Sequence, residues 1–145
     1  MKIPENLSAD ETKSRISQMI EKQGKDFFVS FATFGDIYPA VRVMLVAAHD
    51  GIDVIWFATE ADSEKIAQLR KNPKASIYAF IPEPMEEFRL FGNVELLTDS
   101  ASRQKVWRDD FVEFWTDGVD SPAMIVLRFN TESGLYTNYD EIGRF

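Results

Sequence analysis

Residues 27–59 read FFVSFATFGDIYPAVRVMLVAAHDGIDVIWFAT. Aromatic and β-branched residues dominate two runs of this stretch, at 27–34 and 52–59, and the run at 38–48 is mainly apolar. Such runs predict β-strands, because they are too short and too apolar for surface helices. Gly35-Asp36 and Asp50-Gly51 separate the runs, and Asp-Gly is a typical hairpin turn. The stretch therefore predicts three strands joined by turns, as in an antiparallel sheet.

A helix is predicted before these strands. Ser8-Ala9-Asp10-Glu11 has the form of a capping box, which satisfies free amides at a helix start. Ile16, Met19 and Ile20 then recur at helical spacing. The pattern predicts an N-terminal helix over about 9–22.

Two helices and further strands are predicted after residue 59. The helices are a short one over 63–71, ended by Asn72-Pro73, and a longer one capped by Asp99 or Ser100, in which Trp107, Phe111 and Phe114 share a face. The strands lie at 75–81, at 86–97 with a bulge at Gly92, at 122–129 and at 135–138. Aromatic residues at helical spacing usually pack against a sheet, so we expect core packing of this face and Trp115, or else a part in a pocket wall.

One domain over residues 1–145 accounts for the whole chain. Strands joined mostly by hairpins, with few helices, favour an antiparallel barrel of six or seven strands over a doubly wound parallel sheet. The sequence has no internal repeat, no linker and no glycine-rich loop of the dinucleotide or nucleotide triphosphate kind. The expected fold class is therefore mainly β with flanking helices.

The composition limits the classes of function. The chain has 16 Lys and Arg against 24 Asp and Glu, a formal charge of −8 that disfavours nucleic acid and anionic membranes. It has no cysteine, and no apolar run approaches the roughly 20 residues of a membrane span. We therefore expect a cytoplasmic protein without nucleic-acid or membrane partners. His49 is the only histidine and lacks partners at metal-ligand spacing, so we expect a turn residue rather than a metal or haem ligand.

Two stretches carry candidate binding residues. Arg42 shares a predicted strand face with Ala40 and Met44, and a charge on an apolar face needs a partner or a ligand. It is either a ligand-binding residue or half of an ion pair at the barrel rim. Ser63 and Lys65 open the second helix, where free amides and the helix dipole favour an anion. The alternative is an ordinary capped helix with a solvated lysine.

These residues occur in a specific order along the chain. The order is Arg42-Val43-Met44 on one strand, Ala58-Thr59 at the end of the next, Ser63-Glu64-Lys65 at a helix start and Asn72-Pro73 at its end. It resembles the pyridoxamine-phosphate-oxidase-like FMN-binding split barrels. The later stretch from Val106-Trp107 to Val126-Leu127-Arg128-Phe129 is similar to the general stress protein branch of that family. The resemblance covers residues 16–137.

The resemblance implies a split β-barrel that holds FMN between the two subunits of a homodimer. Arg42, Ser63 and Lys65 would bind the phosphate. The backbone of Val43-Met44 and of Ala58-Thr59 would run along the flavin ring. The small-molecule substrate is not implied.

Two positions depart from the family pattern. Glu64 stands where a second basic residue is frequent, and Tyr136-Thr137-Asn138 stands where a tryptophan is common. No residue stands out as a general base or nucleophile, and a bound flavin would itself carry redox chemistry. An FMN-dependent oxidoreductase is therefore the leading hypothesis. The alternatives are a non-catalytic flavin-binding module and a cofactor-free dimeric module, and the alternative cofactors are another flavin or a deazaflavin.

Overall fold

Nine strands, three α-helices and one 3₁₀-helix succeed one another along the described part of the chain. The computed structural model describes residues 2–145. Its elements are, in order, β1 (Glu5–Leu7), α1 (Ala9–Lys22), β2 (Phe28–Thr33), β3 (Ala40–Leu45), β4 (Ala48–Asp50), β5 (Val54–Glu60), α2 (Glu64–Lys71), β6 (Lys74–Ile81), β7 (Glu86–Leu97), α3 (Ser100–Val106), a 3₁₀-helix (Asp109–Glu113), β8 (Met124–Thr137) and β9 (Glu141–Arg144). No helix in this part of the chain has the length and apolar character needed to cross a membrane.

The nine strands of the described residues belong to one mixed sheet. Its main path runs β1-β9-β8-β7-β6-β2-β3, while β5 pairs with β8 and with β4. The sheet does not close, because β3 and β5 do not pair with each other. The predicted class, a mainly β split barrel, is confirmed. The strand number exceeds the expected six or seven, and β1 pairs with β9 in parallel. The additional strands are three or four residues long, too short for periodicity to predict.

The N-terminal helix α1 begins and ends where the sequence predicts. Ser8 Oγ accepts a hydrogen bond from the Glu11 amide, and Glu11 Oε1 accepts one from the Ser8 amide, both at 3.1 Å. The capping box is therefore present. Ile16, Met19 and Ile20 are buried on one face of α1, which joins the helix to the sheet.

The side chains of the core form two clusters. The larger one joins α1 and α2 to the sheet, and it contains Phe31 in edge-to-face contact with Phe57, at 5.1 Å between ring centroids. The smaller one packs Phe111 and Trp115 against Trp56 of β5, together with residues of α3 and β8. The second cluster therefore attaches the segment after α3 to the outer side of β5 and β8.

The strand predicted over 38–48 is two strands, because the backbone changes its partner in the middle. The Val46 amide donates to the Phe27 carbonyl (2.8 Å), whereas the Ala47 amide donates to the Trp56 carbonyl (2.9 Å). The chain therefore leaves the end of β2 and joins β5 within one residue. A pattern of apolar residues cannot show this change, since apolar residues occur on both sides of it.

The strands predicted over 122–129 and 135–138 form one long strand, β8. Its first half pairs with β5 and its end with β9, while β7 runs beside both parts. The surroundings of its side chains therefore change along its length. The apolar pattern of the sequence is interrupted at this change, although the strand is continuous. His49, expected in a turn, lies in β4 opposite Ile55, because the turn begins at Gly51.

The longer helix predicted after Asp99 is wrong in its extent. Asp99 caps α3 as expected, but the helix ends before Trp107, whose backbone is extended (φ −64°, ψ 135°). Phe111 and Trp115 then enter the core with their rings edge-on, 5.6 Å apart, whereas Phe114 is 70% exposed. Trp107, Phe111 and Phe114 therefore do not share one helical face.

Gly92→Ala is expected to lower the free energy of unfolding by about 1–3 kcal/mol, because it overfills a close strand contact. The pairing register of β7 with β8 shifts at Gly92, which is the bulge that the sequence predicts. A Cβ atom there would overlap the backbone carbonyl of Asn130 on β8. Urea denaturation measures the change.

Gly51→Asn is the matched control for this steric effect. Gly51 has φ +58°, a conformation that asparagine tolerates, and no atom of the described chain lies within 4 Å of its Cβ position. We expect a loss below about 1 kcal/mol. Equal losses in the two variants would contradict the steric explanation.

Candidate functional site

The gap between β3 and β5 is the opening of the split barrel. β3 pairs only with β2, and β4 covers the edge of β5 only from Val54 to Trp56. Beyond Trp56, residues 57–60 have no strand on that side within the described chain. Unpaired strand edges offer free amide and carbonyl groups. The opening therefore suits a planar ligand with hydrogen-bonding atoms along its rim.

Arg42 extends from β3 toward α2 and is held by neutral acceptors. Its Nη1 donates to Thr33 Oγ1 (2.8 Å) and to the Phe31 carbonyl (3.3 Å), and its Nη2 donates to Gln68 Oε1 (3.1 Å). No carboxylate of the described residues lies within 4 Å of the guanidinium. The ion pair at the barrel rim, one of the two interpretations of Arg42, is therefore not formed.

Lys65 reaches back from the first turn of α2 to the end of β5. Its Nζ donates to Thr59 Oγ1 (2.8 Å) and to Ser63 Oγ (3.3 Å). Ser63 occupies the N-cap position, but its hydroxyl donates to the Glu60 carbonyl (2.9 Å) and caps no helix amide. The amides of the first turn therefore have no side-chain acceptor at the cap, next to a lysine ammonium group.

The charges of Arg42 and Lys65 destabilise each other. Burial lowers the pKa of Lys65 and the Arg42 guanidinium lowers it further, while Glu60 partly opposes the shift. Burial also lowers the pKa of Arg42, with Glu64 acting in the opposite direction. Two partly desolvated cations thus repel each other on a protein of net charge −8. A bound anion would remove this repulsion.

Thr33 and Gln68 belong to this cation cluster, although sequence reasoning did not select them. Gln68 links the two sides, because its Oε1 accepts from Arg42 while its Nε2 donates to Glu64 (3.2 Å). In the sequence, Gln68 could have been selected only because it follows Lys65 by one helical turn. The sequence offers no such reason for Thr33, since its contact with Arg42 depends on the pairing of β2 with β3.

Val43, Met44, Ala58 and Thr59 lie on the two strands that border the opening. The Val43 side chain is 65% exposed outside the barrel, whereas Met44 is buried inside it. Thr59 is buried and holds Lys65 through its hydroxyl. Neither the Val43 nor the Met44 side chain therefore points into the gap. A ligand in the gap would meet the backbone of Val43 and Met44 instead.

A cleft of ≈ 400 Å³ opens beside Ala58 and Thr59. Its aromatic wall consists of Phe28, Phe111, Phe114 and Trp115. Of the aromatic residues expected in the core or in a pocket wall, Trp107 alone does not line the cleft. The 3₁₀-helix thus supplies part of the wall opposite the end of β5.

Tyr136 lies in the core. It is 1% exposed, and its hydroxyl donates to Glu86 Oε2 (2.7 Å) and accepts from Asn138 Nδ2 (3.1 Å). It belongs to the larger core cluster and does not line the cleft. Among residues 2–145, no group of three His, Asp or Glu side chains is placed to hold a metal ion.

The sequence and the fold are similar to those of known proteins. A family model described as pyridoxamine 5'-phosphate oxidase matches residues 14–138. A crystal structure of a protein related to general stress protein 26, from Clostridium acetobutylicum, is 26% identical with a TM-score of 0.80, covering 92% of this chain and 94% of that one. A search of curated protein sequences gave no significant match.

Two more distant crystal structures share the fold. General stress protein 26 from Bacillus anthracis is 22% identical with a TM-score of 0.73, over 92% of this chain and 98% of that one. A pyridoxamine 5'-phosphate oxidase-related, FMN-binding protein from Nostoc punctiforme is 17% identical with a TM-score of 0.68, over 90% and 86%. The split barrel observed here is therefore shared across these proteins.

Lys65→Met is expected to raise the stability of the ligand-free protein at neutral pH. The pKa of Lys65 is lowered from 10.5, so the folded state holds this proton less tightly than the unfolded state, and the charge opposes folding. This penalty disappears as the pH rises through the folded pKa. The stability of the wild type relative to the variant should therefore increase as the pH rises from neutral toward 10.5. Urea denaturation at several pH values measures it.

Arg70→Met is the control, because Arg70 is an exposed cation on the same helix. It should leave the pH dependence of stability unchanged. A difference between wild type and Lys65→Met that does not vary with pH would contradict a desolvated lysine.

Proposed function

Because the chain belongs to the pyridoxamine 5'-phosphate oxidase family, we propose that it is an FMN-binding oxidoreductase of the general stress protein type. The observation that carries the proposal is the pair Arg42 and Lys65. Both cations are partly buried, they repel each other, and no carboxylate of the described residues lies within 4 Å of either. Such a pair is stabilised by an anionic ligand.

The phosphate of FMN is the anion that we assign to this cluster. The guanidinium of Arg42 offers a planar fork of donors, which matches phosphate oxygens. Lys65 adds a compact charge, and the Ser63 hydroxyl and the first amides of α2 add donors at the positive end of the helix dipole. A 5'-phosphorylated deazaflavin or other flavin would use the same contacts.

The ring system of the flavin would lie in the opening between β3 and β5. The backbone of Val43-Met44 on one side and of Ala58-Thr59 on the other would meet the polar rim of the ring. The bound flavin supplies the electron transfer. The residues of this chain bind the phosphate and orient the ring along the open edges.

A homodimer would cover the outer face of the sheet. Strand pairing aligns Val41, Ala32, Ser76 and Phe91 in one row across β3, β2, β6 and β7. Val41 is 69% exposed and Phe91 is 41% exposed, and small side chains separate them. Such an apolar face suits a second copy of the chain, which would place the flavin between the subunits.

Arg42→Ala is expected to weaken FMN binding at least about tenfold and to remove most of the preference for FMN over riboflavin. The wild type should prefer FMN, because riboflavin lacks the phosphate. Each charge-assisted hydrogen bond to the phosphate contributes about 1.5–3 kcal/mol, and about 1.4 kcal/mol is tenfold in affinity. Titration of flavin fluorescence measures all four dissociation constants.

Variants of the same cluster and one control refine this test. Arg42→Lys should restore only part of the affinity, because an ammonium group lacks the fork. Lys65→Ala should cost less than Arg42→Ala, and Glu64→Arg should tighten binding by replacing a repulsive charge. Arg70→Ala, an exposed cation of the same helix, should have no effect. Equal affinities of the wild type for FMN and riboflavin, or binding of neither, would refute the proposal.

The wild type is expected to be a dimer at micromolar concentration, with an interface of more than about 1,000 Å² in total. Val41→Asp should produce monomers and weaken FMN binding, because it places a charge in the centre of the apolar row. Val112→Asp, at an exposed valine of the 3₁₀-helix, should remain dimeric. Light scattering measures the mass, and a monomeric wild type would contradict the dimeric site.

A further inference from the structure

The mouth of the cleft beside Ala58 and Thr59 is negatively charged. Its lining contains three carboxylates and one cation, namely Asp26, Glu60, Asp110 and Arg108. These four residues have a formal charge of −2. The cleft thus differs in sign from the cation cluster of Arg42 and Lys65, which adjoins it at Thr59.

Arg108 is not available to an anionic ligand. Its Nη2 lies 2.9 Å from Asp26 Oδ1 and its Nε lies 3.3 Å from Asp110 Oδ1. Its Nη1 donates to the Lys25 carbonyl (2.6 Å), and the guanidinium lies over the Phe111 ring, 5.7 Å from the centroid. These contacts hold the 3₁₀-helix against the start of β2. An anion could bind Arg108 only if these contacts were broken.

The walls of the cleft favour an aromatic ligand. Phe28 is 58% exposed and Phe114 is 70% exposed, so both rings have free surface, while Trp115 is buried behind them. A planar apolar molecule would cover this surface, and aromatic pairs gain further from stacked or edge-on contact. Glu60, which has no cation within 4 Å in the described chain and acts on Lys65 only from a greater distance, adds a carboxylate beside them.

We propose that the second ligand of this cleft is a neutral or cationic aromatic molecule and that anionic aromatics are excluded. The inference rests on the proposed function, since the flavin ring would lie along the same edge of β5. Arg42 and Lys65 are occupied by the cofactor phosphate, and the remaining charge at the mouth repels a second anion. Pyridoxamine 5'-phosphate, the compound in the family's name, falls in the excluded class.

Two naphthalenes, one neutral and one anionic, test this selectivity. The protein loaded with FMN is titrated with 2-naphthol and with naphthalene-2-sulfonate, and binding is followed by the visible absorption of the bound flavin. The neutral compound should bind about tenfold more tightly, a ratio typical of a focused surface field. High salt should reduce the ratio through screening.

Glu60→Lys is the informative variant, because it changes the formal charge of the mouth from −2 to zero. The preference for 2-naphthol should then fall severalfold. Glu113→Lys is the matched control, since Glu113 is an exposed carboxylate of the 3₁₀-helix that does not line the cleft. It changes the net charge of the protein equally, and it should leave the ratio as in the wild type.

Equal or tighter binding of the sulfonate overturns the inference. So does an unchanged ratio in Glu60→Lys, an equal change in Glu113→Lys, or binding of neither compound. Each of these results leaves the proposed function intact when the wild type binds FMN in the flavin titration. Failure of that titration overturns the proposed function and the inference with it, so the two failures are distinguishable.

Discussion

The change of hydrogen-bond partner between Val46 and Ala47 is the constraint on which the rest of the structure depends. The Val46 amide still binds the chain entering β2, and the Ala47 amide already binds β5. Because one segment cannot follow both strands along its whole length, β3 and β5 separate from this point. Their edges then stay unpaired. The opening of the barrel, the cleft and the candidate cofactor site all follow from this separation.

Charge is distributed unevenly around that opening. Arg42 and Lys65 lie without a carboxylate within 4 Å in the described residues, although the protein as a whole is acidic. At the mouth of the cleft, the carboxylates of Asp26 and Asp110 are joined to Arg108. The first arrangement costs stability until an anion arrives, and the second is already neutralised in part. This distribution of charge would attract the anionic tail of a ligand toward Arg42 and Lys65, and it would leave the uncharged ring beside the cleft.

Features with a local cause were predictable from the sequence. The capping box before α1 depends on four consecutive residues, and the bulge at Gly92 is indicated by a glycine within a strand pattern. The helix after Asp99 was predicted too long, because Phe111 and Trp115 pack against Trp56, a residue far away in the chain. The backbone is extended at Trp107, where the apolar pattern indicates a continuous helix. The pattern records which side chains are buried, and burial alone does not specify the backbone that buries them.

The sequence by itself determined the mainly β character, the order of most elements and the presence of a lone arginine on an apolar strand face. It also placed Ser63 and Lys65 at a helix start. Tertiary structure decided that Arg42 meets Gln68 and Thr33 rather than a carboxylate, and that Lys65 turns back to Thr59. It also decided that the 3₁₀-helix lines a cleft beside β5. The physical reason is that periodicity and capping act within a few residues, whereas strand pairing joins segments far apart in the chain and so selects which side chains become neighbours.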